Sequence, residues 1–148
     1  MPIGKLDHFS IRTLDIEASR RFYTEVMGFQ PGFRPPFKFP GLWLYNGAQY
    51  PETTGVVHII GIDLNDPQGL KDYLGDRELD TLNGTGTVDH MAFAATGLAE
   101  MQARLKRHGV AFRERTVPSL NLHQVFFEDP SGVTIELNYP AAEVQQAA

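Results

Sequence analysis

The chain of 148 residues contains no cysteine. Without thiols it cannot form disulfides, a thiolate metal site or a cysteine nucleophile. Any metal ion that it binds must be held by histidine, carboxylate or amide groups. That ligand set suits one divalent ion such as Zn, Ni, Mn or Fe(II).

Long apolar runs and clusters of basic residues are also missing. No apolar run approaches the roughly 18 residues of a membrane-spanning helix, and the amino terminus lacks the basic-then-apolar pattern of a signal peptide. Lys plus Arg number 13 against 18 Asp plus Glu, which gives a net charge of −5. We therefore expect a soluble, cytoplasmic protein with no nucleic-acid partner and no membrane partner.

The chain does contain an internal repeat. The segment KLDHFSI, Lys5–Ile11, recurs as TVDHMAF, Thr87–Phe93, so that a second Asp-His pair appears 82 residues after the first. An amphipathic helix that ends at a glycine follows each copy, at Gly28 and at Gly109. Such self-similarity indicates two copies of one structural unit.

Each copy predicts a β-α-β-β-β module. Asp15 is the expected N-cap of a first helix over 16–27, and Thr96 is the expected cap of the second. We predict one α+β domain over residues 5–140, made of module 1 (5–63), a connector (64–86) and module 2 (87–140). Residues 141–148 form a frayed or helical tail.

The closing strand of each module carries one polar residue among apolar ones, His58 in VVHII and Glu136 in TIEL. Side chains alternate faces along a strand, so these residues and His8 and His90 point away from the apolar positions that pack on the helices. A lone strand histidine is more often structural than a ligand. The repetition favours a metal site built from all four residues.

The segment Phe29–Tyr50 breaks the repeat with seven aromatic residues among four prolines. Two interpretations stay open, a pocket wall or lid that includes Trp43, and a core or subunit contact.

Four motifs carry a family resemblance. They are LDH at Leu6–His8, FYTEVMGF at Phe22–Phe29, VDHMAF at Val88–Phe93 and FEDPSGVTIE at Phe127–Glu136. With them the chain resembles the vicinal oxygen chelate superfamily over nearly all of Leu6–Tyr139. That superfamily holds glyoxalase I, fosfomycin- and bleomycin-resistance proteins, methylmalonyl-CoA epimerase and extradiol dioxygenases.

The resemblance implies two modules with pseudo-twofold symmetry, which form a cup-shaped, partly open β-barrel with its helices outside. It implies a homodimer whose sites are shared between subunits. His8, His90 and Glu136 match three metal-ligand positions of the family. His58 matches the position where glyoxalase I has a second glutamate and the epimerase a glutamine.

Substrate contacts are implied in the same way. Arg12 matches an arginine that contacts a glutathione carboxylate in glyoxalase I, yet two other glutathione contacts are replaced by Ile62 and Gly86. We therefore expect a small, anionic substrate that is not a glutathione adduct. Asn121 and His123 precede the last motif on a strand expected to line the cup, where His123 is either a catalytic base or a hydrogen-bonded structural residue.

Three functions compete. A glyoxalase-like lyase or isomerase is favoured because His58 supplies a fourth ligand type, and Glu136 would then shuttle a proton. An Fe(II) extradiol-type dioxygenase is the second, supported by the aromatic segment. A small-molecule binding or resistance protein without a catalytic metal is the third.

Overall fold

The structure, a computed structural model, describes residues 2–147. It is an α+β fold of eight strands and four α-helices within those residues. The strands are β1 Phe9–Thr13, β2 Gln30–Gly32, β3 Gly41–Tyr45, β4 Val57–Gly61, β5 Met91–Ala94, β6 Phe112–Val117, β7 Leu122–Glu128 and β8 Thr134–Pro140. The helices are α1 Ile16–Arg21, α2 Gln68–Leu74, α3 Leu98–Arg107 and α4 Glu143–Ala147.

The strands form two four-stranded sheets of identical connectivity, ordered β1-β4-β3-β2 and β5-β8-β7-β6. In each sheet the first strand of a module pairs in parallel with its last strand, and the other pairs are antiparallel. The predicted pair of β-α-β-β-β modules is confirmed. By its contacts the chain divides into two compact units, Met1–Leu82 and Asn83–Ala148.

The first helix begins where its cap was predicted. The Asp15 side chain accepts a hydrogen bond from the backbone N–H of Ala18. After Arg21 the chain continues as a π-helix over Phe22–Val26, so the predicted helical segment 16–27 contains two kinds of helix. The buried Phe22, Tyr23 and Val26 attach this segment to the core.

The second main helix is capped differently from the prediction, and the assignment of Thr96 as its cap is wrong. The N-cap is Gly97, in the left-handed conformation. The Glu143 carboxylate accepts hydrogen bonds from the backbone N–H groups of Gly97 and Leu98, at 2.9 and 2.8 Å. A negative charge at this end also complements the helix dipole, and it gives the tail helix α4 a structural role.

His8 and His90, which were expected to lie on strands, instead precede β1 and β5 by one residue. In the first sheet the reason is the partner strand. The first register pair is Phe9 with Val57, and β4 does not extend further back to pair with residue 8. The connector includes α2 and a short 3₁₀ turn, Leu79–Thr81. Among the described residues no helix is long and apolar enough to cross a membrane.

Candidate metal centre

The second unit brings two of the predicted ligands together. Nε2 of His90 lies 2.9 Å from Oε2 of Glu136. Two ligands at right angles, each about 2.1 Å from a divalent ion, are separated by about 3 Å. The distance is that of a direct N–H···O hydrogen bond, and it is also compatible with two neighbouring ligands of one metal ion.

Both nitrogens of the His90 ring face carboxylates. Nδ1 lies 2.8 Å from Oδ1 of Asp89 while Nε2 faces Glu136. A neutral imidazole has one N–H donor, so the second contact needs either a further proton, on the ring or on the carboxyl, or a metal ion in its place. A metal ion bound by Nε2 and the Glu136 oxygen is one arrangement that meets this requirement.

The Glu136 side chain is buried and held in place by two amides. Its Oε1 accepts hydrogen bonds from the side chains of Gln124, at 2.9 Å, and Asn138, at 2.7 Å. Gln124 also donates to Asn138 at 3.0 Å. Because Oε1 is occupied, Oε2 is the oxygen that remains for a ligand or a proton.

The repeated Asp-His pairs make the same contact in both units. Nδ1 of His8 lies 2.6 Å from Oδ2 of Asp7, as Nδ1 of His90 does from Asp89 at 2.8 Å. The hydrogen bond with His8 lowers the pKa of the Asp7 carboxyl. A carboxylate on one ring nitrogen fixes the tautomer and presents the other nitrogen for metal binding.

In the first unit the candidate ligands stack instead of converging. The His8 and His58 rings are 3.8 Å apart at 17°, and the indole of Trp43 stacks on the other face of His58 at 4.0 Å and 7°. Nε2 of His58 is 2.7 Å from the carbonyl oxygen of Thr54. His58 is thus the middle ring of a three-ring stack and is anchored at one edge.

This geometry bears on whether His58 can bind a metal together with His8. A ring nitrogen binds a metal in the plane of its ring, and two nearly parallel planes do not meet about 2.1 Å from both rings. Burial lowers the pKa of His58, which keeps the ring neutral. To bind the same metal ion as His8, His58 would have to leave its stacked position.

The remaining predicted contacts lie elsewhere in their units. Arg12 lines a cleft of about 270 Å³ between the end of the first sheet and the connector, together with Ile62 and Leu79. Nη2 of Arg12 donates to the Thr81 hydroxyl at 2.7 Å.

Within residues 2–147 no group of three or more histidine or acidic side chains is arranged to hold a metal ion.

Neither His123 nor Asn121 lies beside Glu136 on its face of the second sheet. In β7, Gln124 and Phe126 alternate with His123, and Phe126 is the register partner of Glu136. His123 therefore points to the opposite face of the sheet, where its ring nitrogens contact Thr116 and Glu114 at 2.9 and 3.0 Å. Asn121 occupies the left-handed turn before β7.

Sequence reasoning missed the amides that hold Glu136. Asn138 was detectable, because it lies two residues after Glu136 on one strand and must share its face. Gln124 was not detectable without the register of β7 against β8. Arg34 was also missed, and the structure places it beside Trp43 and His58 on the first sheet.

The family model for the Glyoxalase/Bleomycin resistance protein/Dioxygenase superfamily matches residues 5–137. The chain belongs to this superfamily. A relative from Arabidopsis thaliana, described as Glyoxylase I 4, is 27% identical over 141 residues, which cover 91% of this chain and 70% of the relative.

Solved structures share the fold at lower identity. A fosfomycin resistance protein from Listeria monocytogenes has a TM-score of 0.63 at 17% identity, covering 93% of this chain and 94% of that one. A lactoylglutathione lyase from Agrobacterium tumefaciens has a TM-score of 0.59 at 14% identity, covering 94% and 96%. An antibiotic binding protein from Streptomyces has a TM-score of 0.61 at 22% identity, covering 95% and 98%. These likenesses establish the fold and leave the reaction open.

Proposed function

We propose that the protein is a divalent-metal-dependent, glyoxalase-like lyase or isomerase that acts on a small substrate with two adjacent oxygens. The observation that carries the proposal is the pair of His90 and Glu136, with ligand spacing and a carboxylate clamped by two amides. Superfamily membership supports it. We further propose a cytoplasmic homodimer that shares its sites between subunits.

His8, His90 and Glu136 are the proposed ligands of the metal, and His58 is the proposed fourth. Imidazole nitrogens and a carboxylate suit Zn, Ni, Mn or Fe(II). When bound, such an ion polarises a carbonyl or enediol oxygen and stabilises the developing negative charge. Asp7 and Asp89 hold the two histidine rings with Nε2 available.

Glu136 is the proposed proton-transfer group. Gln124 and Asn138 fix Oε1, so Oε2 is the oxygen left for both roles, and it would have to leave the metal before it exchanged a proton with a substrate carbon or oxygen. The amides also offset the cost of burying the carboxylate. We do not assign His123 to this step, because its ring lies on the face of the sheet opposite to Glu136.

A second candidate is an extradiol-type dioxygenase with Fe(II). The observation that favours it is the position of His58, which stacks on His8 and contacts Thr54. If His58 keeps this position, His8, His90 and Glu136 form the two-histidine, one-carboxylate set typical of non-haem Fe(II) oxygenases. The aromatic segment around Trp43 would suit a flat substrate.

We also propose that the substrate carries an anionic group and is not a glutathione adduct. Arg12 lines the cleft at the end of the first sheet, and one of its nitrogens is used by Thr81. The other guanidinium nitrogens remain to hold a carboxylate. Ile62 lines the same cleft and offers no side-chain hydrogen bond.

Elemental analysis of the purified protein and of His58→Ala tests the proposal. Nickel, zinc or manganese at one ion per chain, lost in the variant, supports the lyase or isomerase. Iron retained without His58 supports the dioxygenase. Protein that takes up no divalent ion on dialysis against any of the four metals contradicts both.

A further inference from the structure

A cleft opens where the first sheet ends and the connector begins. We call it the connector cleft, and the residues of its lining that matter below are Arg12, Ile62, Leu70, Arg77 and Leu79. They all belong to one compact unit. The volume of the cleft is about 270 Å³. A cavity of about 150 Å³ is enough to bind benzene, so this cleft has room for a small organic molecule.

The walls of the connector cleft are aliphatic and partly uncovered. Leucine, isoleucine and proline side chains form them, and none of the described residues in the lining is aromatic. Leu64 and Leu79 leave 62% and 47% of their surface exposed. Such side chains gain when an alkyl chain lies against them and removes apolar surface from water. Because there are no rings to stack on, the walls favour a flexible aliphatic chain over a planar body.

The charged residues of the lining are mostly cations. Arg12, Lys71 and Arg77 line the cleft, against the single acid Asp63 among the lining residues that the structure describes. The Asp63 carboxylate already accepts a hydrogen bond from the backbone N–H of Asn65 at 2.9 Å. In a chain with a net charge of −5, this is a local excess of positive charge. The cleft therefore attracts an anion.

Two guanidinium groups of the cleft have no carboxylate partner. Nη2 of Arg12 donates to the Thr81 hydroxyl at 2.7 Å, and this hydroxyl donates to a backbone oxygen of the same turn at 2.8 Å, which holds the Arg12 side chain in place. Lys71 is paired with Asp76 at 3.2 Å. Over residues 2–147 no carboxylate forms an ion pair with Arg12 or Arg77. Their remaining N–H groups match the two oxygens of a carboxylate.

We propose that the connector cleft binds a small aliphatic carboxylate of roughly six to eight carbons, with Arg12 and Arg77 as its anion contacts and the leucines against its chain. At about 30 Å³ for each water-sized group, a volume of about 270 Å³ holds roughly nine such groups, the size of hexanoate or octanoate. Taking this acid as part of the substrate rests on the proposed function, whereas its binding does not.

The connector cleft lies apart from the candidate ligand His8. His8 precedes β1, and Arg12 is near the other end of the same strand. The strand rise between the two residues is about 13 Å. Binding in the cleft can therefore be measured on metal-free protein.

A titration of metal-free, ¹⁵N-labelled protein in EDTA tests the proposal. The probes are butyrate, hexanoate, octanoate, decanoate and the neutral isostere hexanamide, at constant ionic strength. Gly75 lines the cleft, so its amide shift reports occupancy, and Gly132 in the second unit reports binding elsewhere. Affinities come from the dependence of the shifts on ligand concentration.

Two results are expected from the parent protein. A fully buried methylene tightens binding about fourfold, so octanoate should bind at least about tenfold more tightly than butyrate in this partly open cleft. Decanoate should gain little over octanoate, because the cleft is then full. Hexanoate should bind at least about fivefold more tightly than hexanamide, since only hexanoate carries the charge.

Variants assign the two preferences to the lining. Arg77→Gln should lower the ratio of hexanoate to hexanamide affinity, and Arg12→Gln with Arg77→Gln should abolish it. Arg115→Gln, on exposed β6 of the second unit, is the matched control and should keep the full ratio. Leu70→Trp fills the cleft and should remove the dependence on chain length. The dispersion of the amide signals shows whether each variant is folded.

Equal affinity for hexanoate and hexanamide in the parent protein overturns the inference. So does a ratio that survives in the double variant, or an affinity that keeps rising beyond octanoate with equal shifts at Gly75 and Gly132. If the double variant does not fold, Arg77→Gln alone decides. Because the titration needs no metal, a negative elemental analysis with positive hexanoate binding would defeat the proposed function and leave this site in place.

Discussion

The two units share one topology and differ in how their candidate ligands are held. In the second, Glu136 is fixed by hydrogen bonds and lies 2.9 Å from His90. In the first, His58 is fixed mainly by ring stacking between His8 and Trp43. His58 and Glu136 occupy similar positions in their sheets, because each is paired with an aromatic residue of the neighbouring antiparallel strand. Trp43 is paired with His58, and Phe126 with Glu136.

The repeat therefore preserves the strand connectivity of the two units, whereas the kind of contact that holds the candidate ligand differs between them. A buried carboxylate needs donors and a cation, so the second unit supplies amides and a histidine around Glu136. A neutral imidazole needs only one hydrogen bond and apolar cover, so the first unit supplies Thr54 and Trp43. The second unit thus holds its candidate ligand by polar contacts, and the first holds His58 mainly by ring stacking.

The largest expected effect comes from Glu136→Gln compared with His58→Gln. Glutamine at 136 keeps an oxygen but loses the charge and the basic site, so turnover should fall roughly 10²–10⁴-fold. His58→Gln should be partly tolerated, because glutamine is neutral, can donate to the Thr54 carbonyl and offers an oxygen to a metal ion. Steady-state kinetics on an identified substrate, with metal content measured in parallel, checks both.

An equal fall in the two variants with metal retained would break the comparison. It would remove the reason for giving Glu136 the proton-transfer role. Glu128→Gln, at the exposed end of β7, provides a control that changes the same functional group away from the candidate centre.

The next largest effect is expected from substitutions of Asp7 and Asp89, which make the same contact with a histidine in the two units. Asp7→Asn and Asp89→Asn should each weaken metal affinity about 10–100-fold, because each loses the carboxylate that orients its histidine. Competition with a chelator of known affinity measures the change, and Asp66→Asn in the connector is the matched control. If only Asp89→Asn weakens binding, His8 is not a ligand in the proposed sense.

The sequence predicted the modules well because they depend on local signals. The structure shows the strands predicted from period-two alternation, the glycines at the helix ends and the two modules predicted from the offset of the Asp-His pairs. It also indicated which residues of β8 share the Glu136 face. Each of these predictions uses a local pattern within one module or the recurrence of that pattern in the other module.

What could not be predicted depends on pairing between distant segments. The amide of Gln124 reaches Glu136 only through the register of two antiparallel strands. The position of His123 on the opposite face follows from the same register. Likewise the contact of Tyr73 in α2 with Phe37 and Phe39 joins two distant segments and has no signal in local composition.

The third prediction asks whether His58 acts as a ligand or as a ring. His58→Phe keeps the stack but cannot bind metal, and it leaves the Thr54 carbonyl without its donor, so stability should fall by about 1–3 kcal/mol. If His58 is the fourth ligand, metal affinity should be lower in His58→Phe than in His58→Gln. Isothermal titration with zinc or nickel measures the affinities, and urea unfolding measures the stability.

The opposite order of metal affinities in these two variants would assign His58 a different role. Affinity preserved by phenylalanine and reduced by glutamine would mean that the ring supports His8 and is not itself a ligand. Three ligands would then remain, and the dioxygenase proposal would gain. Phe33→Leu in the aromatic segment controls for general loss of packing, since its ring stacks on Tyr50 and not on His58.

The smallest expected effect is a pH dependence of stability in the first unit. Burial lowers the pKa of His58 below its usual value of 6.5, so between the two pKa values the unfolded chain binds more protons at this residue than the folded chain does. Stability from this group is therefore present above about pH 6.5 and declines as pH falls toward the folded pKa, with a slope of at most about 1.4 kcal/mol per pH unit.

His58→Phe should flatten the curve of unfolding free energy against pH between 5.5 and 7.5 in EDTA. Urea unfolding of the parent and the variant across that range isolates the contribution of His58, because every other titratable residue is common to both. A curve of unchanged slope would mean that the protonated ring is accommodated in the stack between His8 and Trp43.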